Sequence, residues 1–318
     1  MSLNPFTADA EIAHRIAELG ALVGGDIATE VAALAAAKAG RVDDNLGSMI
    51  LRDEAMALIA SYGLAGVEEL MLLALPAARQ LAQPPVSGFF VGSVGLERET
   101  GNLILGGNLE FPGAHLGFTV HGEGFVFTRA AARGTHIETI AISEAHPCAH
   151  CRQYLSEFAG VRDLTLIDPL GHRLTMAELY PWPFDPGYLG ETGFVPGTTD
   201  GTLELAPSPL PAAIASRLLA AGRAAHAPYS KCPAGVVLAL ADGRMVAGFA
   251  IESVAFNPTM GPLPAALIEL VAHGYTPADI AQAALVTRIG GAVDYSLSTT
   301  ELLGRIAPAA PLTITGWA

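Results

Sequence analysis

The alternation of apolar and polar positions divides the chain into a helical N-terminal region and a longer region in which strands and helices alternate. Residues up to about 80 are rich in Ala, Leu, Ile and Glu, which predicts helices over residues 8–22, 26–37 and 67–81. Pro76 is expected to break the third helix, because proline lacks the backbone N–H donor. No cluster of reactive side chains falls in this region, and we interpret it as a packing module.

After residue 83, short apolar runs rich in β-branched residues alternate with helical patterns. The predicted elements are strands over 89–96 and 102–109, a helix over 120–132, a strand over 137–143 and a helix that Pro147 opens. Residues 185–211 are dense in Gly, Pro and Thr, which is typical of a linker. A similar series then returns, with strands over 235–240, 245–251 and 283–287 and a helix over 264–274.

The two series are similar in sequence as well as in order. Val86–Gly92 resembles Tyr229–Gly235 at a distance of 143 residues (229 − 86), and Glu110 corresponds to Glu252. We therefore predict an α/β protein with two tandem three-layer α/β/α domains, each a mixed sheet flanked by helices, preceded by a small helical segment. The expected bounds are 1–65 for the helical segment, 66–187 for the first domain, 188–210 for the linker and 211–318 for the second domain.

Composition and charge narrow the class of protein. Although 51% of the 318 residues are hydrophobic, the uncharged apolar stretch at 253–268 is only 16 residues long and contains three prolines, so no membrane span is expected. The chain shows no secretory signal, and three cysteines do not make a disulfide framework, which predicts a cytoplasmic protein. The formal charge of −14 disfavours a nucleic-acid partner, because binding phosphate backbones needs a basic surface.

Candidate chemistry lies in two short stretches, His121-Gly122-Glu123 and Pro147-Cys148-Ala149-His150-Cys151. Cysteines three residues apart on a helix share one face. One imidazole and two thiolates give three protein ligands, and three ligands with an open fourth position are typical of a catalytic zinc site. Glu123 is placed to move protons without binding the metal. Taken alone, Cys148 and Cys151 are equally compatible with buried inert thiols or a redox pair.

Together with Asn108-Leu109-Glu110-Phe111 and Ala255-Phe256-Asn257-Pro258-Thr259, these stretches resemble cytidine deaminases of the large-subunit, homodimeric, zinc-dependent class of bacteria and plants. The resemblance runs from about residue 66 to the C-terminus. It implies one Zn²⁺ per subunit on His121, Cys148 and Cys151. It also implies hydrolytic deamination of cytidine and deoxycytidine in pyrimidine salvage by a zinc-activated hydroxide, with Glu123 as the proton shuttle.

The resemblance implies a substrate pocket as well. Its members are Asn108 and Glu110 on the ribose hydroxyls, Phe89 and Phe184 on the pyrimidine, the Gly122 backbone N–H on the base, and Ala255 in the segment that closes the partner subunit's site. In the second copy, Leu263 is expected at the position of His121 and residues 290–293 at that of the Cys-x-x-Cys. The second domain is therefore predicted to carry the fold without zinc.

Two glycines depart from the family's pattern. The family usually has alanine at the position of Gly122 and Glu-Gln where this chain has Glu123-Gly124. This departure puts substrate preference in doubt more than reaction type. A deaminase of a modified or non-cytidine base and a catalytically silent zinc-binding homologue are therefore kept as alternatives.

Overall fold

The structure, a computed structural model, describes residues 6–143 and 146–318 and contains two sheets, each lying between helices. The helices are α1 (Ala10–Leu22), α2 (Gly24–Ala36), α3 (Arg52–Tyr62), α4 (Val67–Ala78), α5 (Gly122–Arg133), α6 (Ala149–Leu155), α7 (Met176–Leu179), α8 (Ala212–Arg223), α9 (Pro262–Ala272) and α10 (Ser296–Ile306). The strands are β1 (Met49–Ile50), β2 (Gly92–Glu97), β3 (Leu103–Gly107), β4 (Ile137–Ile142), β5 (Thr165–Ile167), β6 (Arg173–Thr175), β7 (Gly235–Leu240), β8 (Met245–Phe249), β9 (Ile280–Val286) and β10 (Leu312–Thr315).

The first sheet has the strand order β1-β3-β2-β4-β5-β6, with β4 and β5 parallel and the other pairs antiparallel. Successive residues of β2 face opposite sides of the sheet, as strand geometry requires. A Cβ at Gly92 would meet the backbone of α4, whereas one at Gly95 would meet Val126 of α5. The sheet therefore separates α4 from α5, which confirms the predicted α/β/α layers.

The second sheet repeats this arrangement, with the order β10-β9-β7-β8 and a parallel pair formed by β9 and β10. A Cβ at Gly235 would meet α8, and one at Gly248 would meet α9, so these helices cover opposite faces. Both sheets have a register shift at equivalent points, after Leu96 and after Ala239. The predicted tandem duplication is confirmed.

The N-terminal region packs on the outer face of α4 through one hydrophobic cluster that includes Ile27, Val31 and Leu58. It is not purely helical, because β1 pairs antiparallel with β3 and extends the first sheet. Pro76 lies inside α4, which continues to Ala78 before a 3₁₀ turn, so the predicted break at this proline was wrong.

The two domains meet where α5 packs against α9. Phe125 and Ile268 lie in a shared apolar cluster, and the fully buried Arg129 forms an ion pair with Glu269. Residues 188–210, predicted to be a linker, include a part that packs against the first domain, since Phe194 is buried and forms a β-bridge with Phe158. The exact domain bounds stay a prediction.

Taken one at a time, no helix in the described residues is long and apolar enough to cross a membrane. Two pairs of consecutive helices reach that length and composition only when each pair is taken together. The axes of α1 and α2 are bent by 76° at the break between them, and those of α3 and α4 by 99°.

Candidate active site

His121 is the residue that caps the N-terminus of α5. Val120 is held in extended conformation by two backbone hydrogen bonds with Leu109, of 2.8 and 2.9 Å. His121 keeps extended dihedrals (φ −87°, ψ 160°), so the helix begins at Gly122, two residues later than predicted. This bridge fixes where the imidazole leaves the chain.

Cys148 caps the next helix in the same way. Its sulfur accepts a hydrogen bond from the Cys151 backbone N–H at 3.5 Å, and α6 begins at Ala149 rather than at Pro147 as predicted. Arg152 reaches back to donate from Nε to the Pro147 carbonyl (2.7 Å), and its Nη1 donates to Leu179 (3.1 Å). This arginine therefore holds the turn that presents the two sulfurs.

The three predicted metal ligands converge. The His121 Nδ1 lies 3.1 Å from the Cys151 Sγ and 3.4 Å from the Cys148 Sγ, and the two sulfurs are 3.6 Å apart. Tetrahedral zinc, with bonds of about 2.3 Å to sulfur and about 2.0–2.1 Å to nitrogen, separates such ligands by about 3.8 Å (S to S) and about 3.5 Å (N to S). The triangle of donor atoms thus fits zinc.

The electrostatics of the site favour thiolate chemistry. A hydrogen bond from the Cys151 thiol, opposed by burial and assisted by His121, lowers the pKa of Cys148 to about 3. The same contact and burial raise the pKa of Cys151 well above its ordinary value. The neighbouring Cys148 raises the pKa of His121. A zinc ion here would be held by two thiolates and a neutral imidazole, so its binding would be coupled to proton release.

Glu123 points into the same space. Its side chain is 5% exposed and its carboxyl contacts the Cys151 thiol. Burial raises the pKa of Glu123 above the ordinary carboxyl range. The site therefore places a carboxyl that takes up a proton readily next to the metal ligands.

Asn108 organises the loop that leads into β2. Its Oδ1 accepts from the Val91 N–H (2.9 Å) and its Nδ2 donates to the Phe89 carbonyl (2.9 Å). The strand begins at Gly92 rather than at residue 89 as predicted, which leaves the Phe89 ring 56% exposed. An exposed aromatic ring beside the site is available to a ligand in a way that a core phenylalanine is not.

Glu110 clamps the preceding turn. It accepts hydrogen bonds from the backbone N–H groups of Val86 and Ser87, each at 2.9 Å, and from the Ser87 hydroxyl. Burial opposes ionisation, but these hydrogen bonds prevail and lower the pKa of Glu110. Glu252 makes the same three contacts to Tyr229 and Ser230 in the second domain, so the clamp belongs to the fold as well as to the site.

Gly122 faces a serine that the sequence did not single out. A Cβ at Gly122 would stand 2.4 Å from the Oγ of Ser93, which is fully buried on β2 and has no hydrogen-bond partner within residues 6–143 and 146–318. The serine oxygen thus occupies the volume that an alanine methyl would need. Gly124 is different, because a Cβ there would meet the Met260 side chain at an ordinary 3.5 Å.

Phe184 lies on a segment held by Gln153 of α6, and Ala255 lies on one held by Glu157, which follows α6. Gln153 donates to the Phe184 carbonyl (2.7 Å) and accepts from its N–H (3.2 Å). Residue 255 follows Val254, whose N–H donates to the buried Glu157 at 2.8 Å. The roles of both residues at the substrate stay predictions.

The positions of the second domain that are equivalent to His121, Glu123, Cys148 and Cys151 do not carry those residue types, and they differ from the positions predicted from the sequence. The bridge between Ile251 and Met260 matches that between Leu109 and Val120, with a loop two residues shorter (260 − 251 against 120 − 109). By this register and by helix capping, the equivalents of His121, Glu123, Cys148 and Cys151 are Gly261, Leu263, Tyr295 and Ser298. None of these four supplies the imidazole or thiolate that the first domain uses.

Comparison with known proteins gives the family. Profiles described as the cytidine and deoxycytidylate deaminase zinc-binding region match residues 65–167 and 194–300. A cytidine deaminase from Photobacterium profundum is 35% identical over 246 residues, 77% of this chain and 82% of that protein. Cytidine deaminase 6 of Arabidopsis thaliana is 33% identical over 274 residues, 78% of this chain and 92% of that protein.

Among solved structures, cytidine deaminase from Mycobacterium leprae is 30% identical and covers 36% of this chain and 98% of its own, with a TM-score of 0.33. The two profile matches fall on the two duplicated domains, and the first contains the histidine, the carboxyl and the two thiols described above. The chain belongs to the zinc-dependent cytidine deaminase family.

Proposed function

We propose that this protein deaminates cytidine and deoxycytidine hydrolytically, giving uridine or deoxyuridine and ammonia. The observation that carries the proposal is the triangle of His121, Cys148 and Cys151 donors with the buried Glu123 carboxyl against it. The reaction adds water at carbon 4 of the pyrimidine and expels the amino group, so the site must activate water and move two protons.

Zinc on His121, Cys148 and Cys151 supplies a Lewis acid that lowers the pKa of water to about 7. Glu123 then carries the protons. Burial raises its pKa and so favours the protonated form; the carboxylate can accept a proton from the attacking water and give it to ring nitrogen 3, then pass the proton of the added hydroxyl to the leaving amine. Because Glu123 is enclosed, bulk water does not compete for these transfers.

The chain places the rest of the substrate by polar contacts at one edge of the sheet. Asn108 and Glu110 end the segment after β3 and offer an amide and a carboxylate to the ribose hydroxyls. The Gly122 N–H, the first amide of α5, is available to the base, since helix N-termini leave their first amides unpaired. The exposed ring of Phe89 supplies a face for the pyrimidine.

We further propose that the protein acts as a cytoplasmic homodimer in pyrimidine salvage, with the segment around Ala255 closing the partner's site. The support is the exposed, left-handed Phe256 (62% exposed, φ 63°) beside it, because a bulky residue holds such dihedrals only where the surroundings impose them. Measuring the molecular mass in solution tests the homodimer. Mixing Cys151→Ser chains with Ala255→Trp chains tests the shared site: restored activity in the mixture supports it, and a mixture without activity argues against it.

The direct test is turnover. Protein with one zinc per active site should convert cytidine to uridine, followed by the fall in ultraviolet absorbance. Glu123→Gln should retain zinc and lose about 10²–10⁴-fold in kcat, the usual contribution of a proton-transfer group. Glu11→Gln, on an exposed carboxyl of α1, is the matched control and should be unchanged.

Substrate comparison separates the alternatives. Equal zinc content with no turnover of any cytosine nucleoside would point to a silent homologue. Turnover of base-modified nucleosides well above cytidine and deoxycytidine would point to a different substrate. An unchanged rate in Glu123→Gln would reject the proton-shuttle role while leaving the reaction intact.

A further inference from the structure

A second group of side chains with metal-binding chemistry lies at the same edge of the first sheet as the zinc ligands. β4 and β5 are parallel neighbours, so the segments that follow them leave the sheet at one edge. His146 follows β4, Asp168 follows β5 directly, and His172 lies in the turn to β6. The topology therefore brings two imidazoles and one carboxylate together.

The donor atoms of the three side chains are spaced like the ligands of a single metal ion. The Asp168 Oδ2 lies 2.8 Å from the His172 Nδ1 and 3.6 Å from the His146 Nδ1, and one donor atom of each residue lies within 4.8 Å of the others. The two imidazole centroids are 4.7 Å apart. Metal–nitrogen bonds of about 2.0–2.1 Å, at angles from about 90° to the tetrahedral value, place imidazole centroids about 4.5 to 5.2 Å apart.

The surroundings hold this group in place. Asp168 and His172 are 4% and 3% exposed, and the Leu170 N–H donates to the Asp168 Oδ1 at 2.9 Å, which fixes the carboxylate within the turn. Phe6 packs edge-on against His146, with ring centroids 5.3 Å apart. A cavity of about 340 Å³ between α1, α4 and this turn is lined in part by Asp168 and His172.

We propose that His146, Asp168 and His172 bind a second divalent transition-metal ion, distinct from the zinc on His121, Cys148 and Cys151. Two imidazole nitrogens and one carboxylate oxygen suit Zn²⁺, Co²⁺ or Ni²⁺ rather than the harder Ca²⁺ or Mg²⁺. The ion ties the β5–β6 turn to the segment before α6 and, through Phe6, to the N-terminal region.

Cobalt(II) tests the proposal on the full-length protein, because thiolate–cobalt charge-transfer absorption marks the cysteine site alone. Metal-free protein should bind two equivalents, of which only one develops that absorption. His146→Gln and His172→Gln should each weaken one equivalent at least about 100-fold and keep the thiolate band. Cys148→Ser/Cys151→Ser should lose the band and retain the other equivalent. His136→Gln, in a histidine–carboxylate pair with Glu99, should bind both.

A single equivalent in the wild type would overturn the proposal. So would a second equivalent that both histidine variants bind as tightly as the wild type. In either case Asp168 and His172 are a hydrogen-bonded pair that stabilises the turn. His146 is half-buried, so its glutamine variant keeps the test decisive if His172→Gln fails to fold, as judged by its circular dichroism.

Discussion

Gly122→Ala restores the residue that cytidine deaminases usually have beside the metal-binding histidine, and here we expect it to be harmful. The added Cβ would stand 2.4 Å from the Ser93 Oγ and 3.3 Å from the Ser93 Cβ. Ser93 cannot withdraw with its strand, because its neighbours β3 and β4 pair with it on both sides. Either the serine rotates or the start of α5 moves outward by nearly 1 Å.

The magnitude follows from two opposing effects. Overpacking of a buried site costs about 1–3 kcal/mol, whereas replacing glycine by alanine at a helix start returns less than about 1 kcal/mol. The movement falls between His121 and Glu123, where a misplacement of about 1 Å costs on the order of 10²-fold in rate. We therefore expect a 10- to 100-fold loss in kcat/KM with zinc retained, estimated from the same positioning effect.

The assay is a double-mutant cycle with Ser93→Ala, measured as kcat/KM for cytidine, zinc content and unfolding in urea. Ser93→Ala removes a buried hydroxyl that has no hydrogen-bond partner in the described part of the chain, so it should be neutral or stabilising. Ser93→Ala/Gly122→Ala should recover to within a few fold of Ser93→Ala, with a coupling energy of about 1–3 kcal/mol. Full activity in Gly122→Ala alone, or no recovery in the double variant, would refute the steric coupling.

Other predictions use the duplication and the buried domain interface. Glu110→Ala and Glu252→Ala should each destabilise their own domain by about 1–3 kcal/mol, because each loses the hydrogen bonds to the preceding turn. Only Glu110→Ala should raise KM for cytidine. Equal KM values in the two variants would argue against a role of Glu110 in ribose binding. Arg129→Met leaves Glu269 buried without its partner and should cost about 3–5 kcal/mol in urea unfolding, most of which Arg129→Met/Glu269→Met should restore. Burial, with the Arg129 charge, lowers the pKa of His273 to about 3. Below pH 6.5 His273 is therefore protonated in the unfolded state but not in the folded state. The free energy of unfolding should decrease by up to about 1.4 kcal/mol for each unit by which the pH is lowered below 6.5. His273→Gln should reduce this pH dependence.

The fold was predictable because its main elements have strong local periodicity. The pattern over residues 137–143 was enough to predict β4, and most other predicted elements lie within a few residues of their observed bounds. β1 was not predicted because it has only two residues, Met49 and Ile50, which is too short to show an alternation of apolar and polar positions. Only their pairing with β3 makes them a strand. α5 starts later than its apolar pattern suggested because a distant residue, Leu109, holds Val120 extended.

The convergence of His121, Cys148 and Cys151 was predictable because their spacing along the chain is typical of a zinc site. The equivalent positions in the second domain were not predicted correctly, because the second domain has a loop that is two residues shorter. A constant offset of 142 residues ignores this difference and made Leu263 equivalent to His121 instead of Glu123. Ser93 was missed for a further reason. Its contact with Gly122 joins two elements across a sheet-to-helix interface, and a single sequence has no signal for such a pair.

The duplication also separates what the fold needs from what the chemistry needs. Glu252 preserves the turn clamp of Glu110 in a domain without metal ligands, so that clamp is sufficient reason for a carboxylate at both positions. Asn108 differs, because its equivalent by strand register is Ala250, a fully buried residue with no side-chain hydrogen bonds to offer. The second domain thus forms the same strand and turn without the amide. The second domain therefore forms without equivalents of the contacts that Asn108 makes with the Phe89 carbonyl and the Val91 N–H, and we propose that the amide of the first domain serves to position the substrate loop.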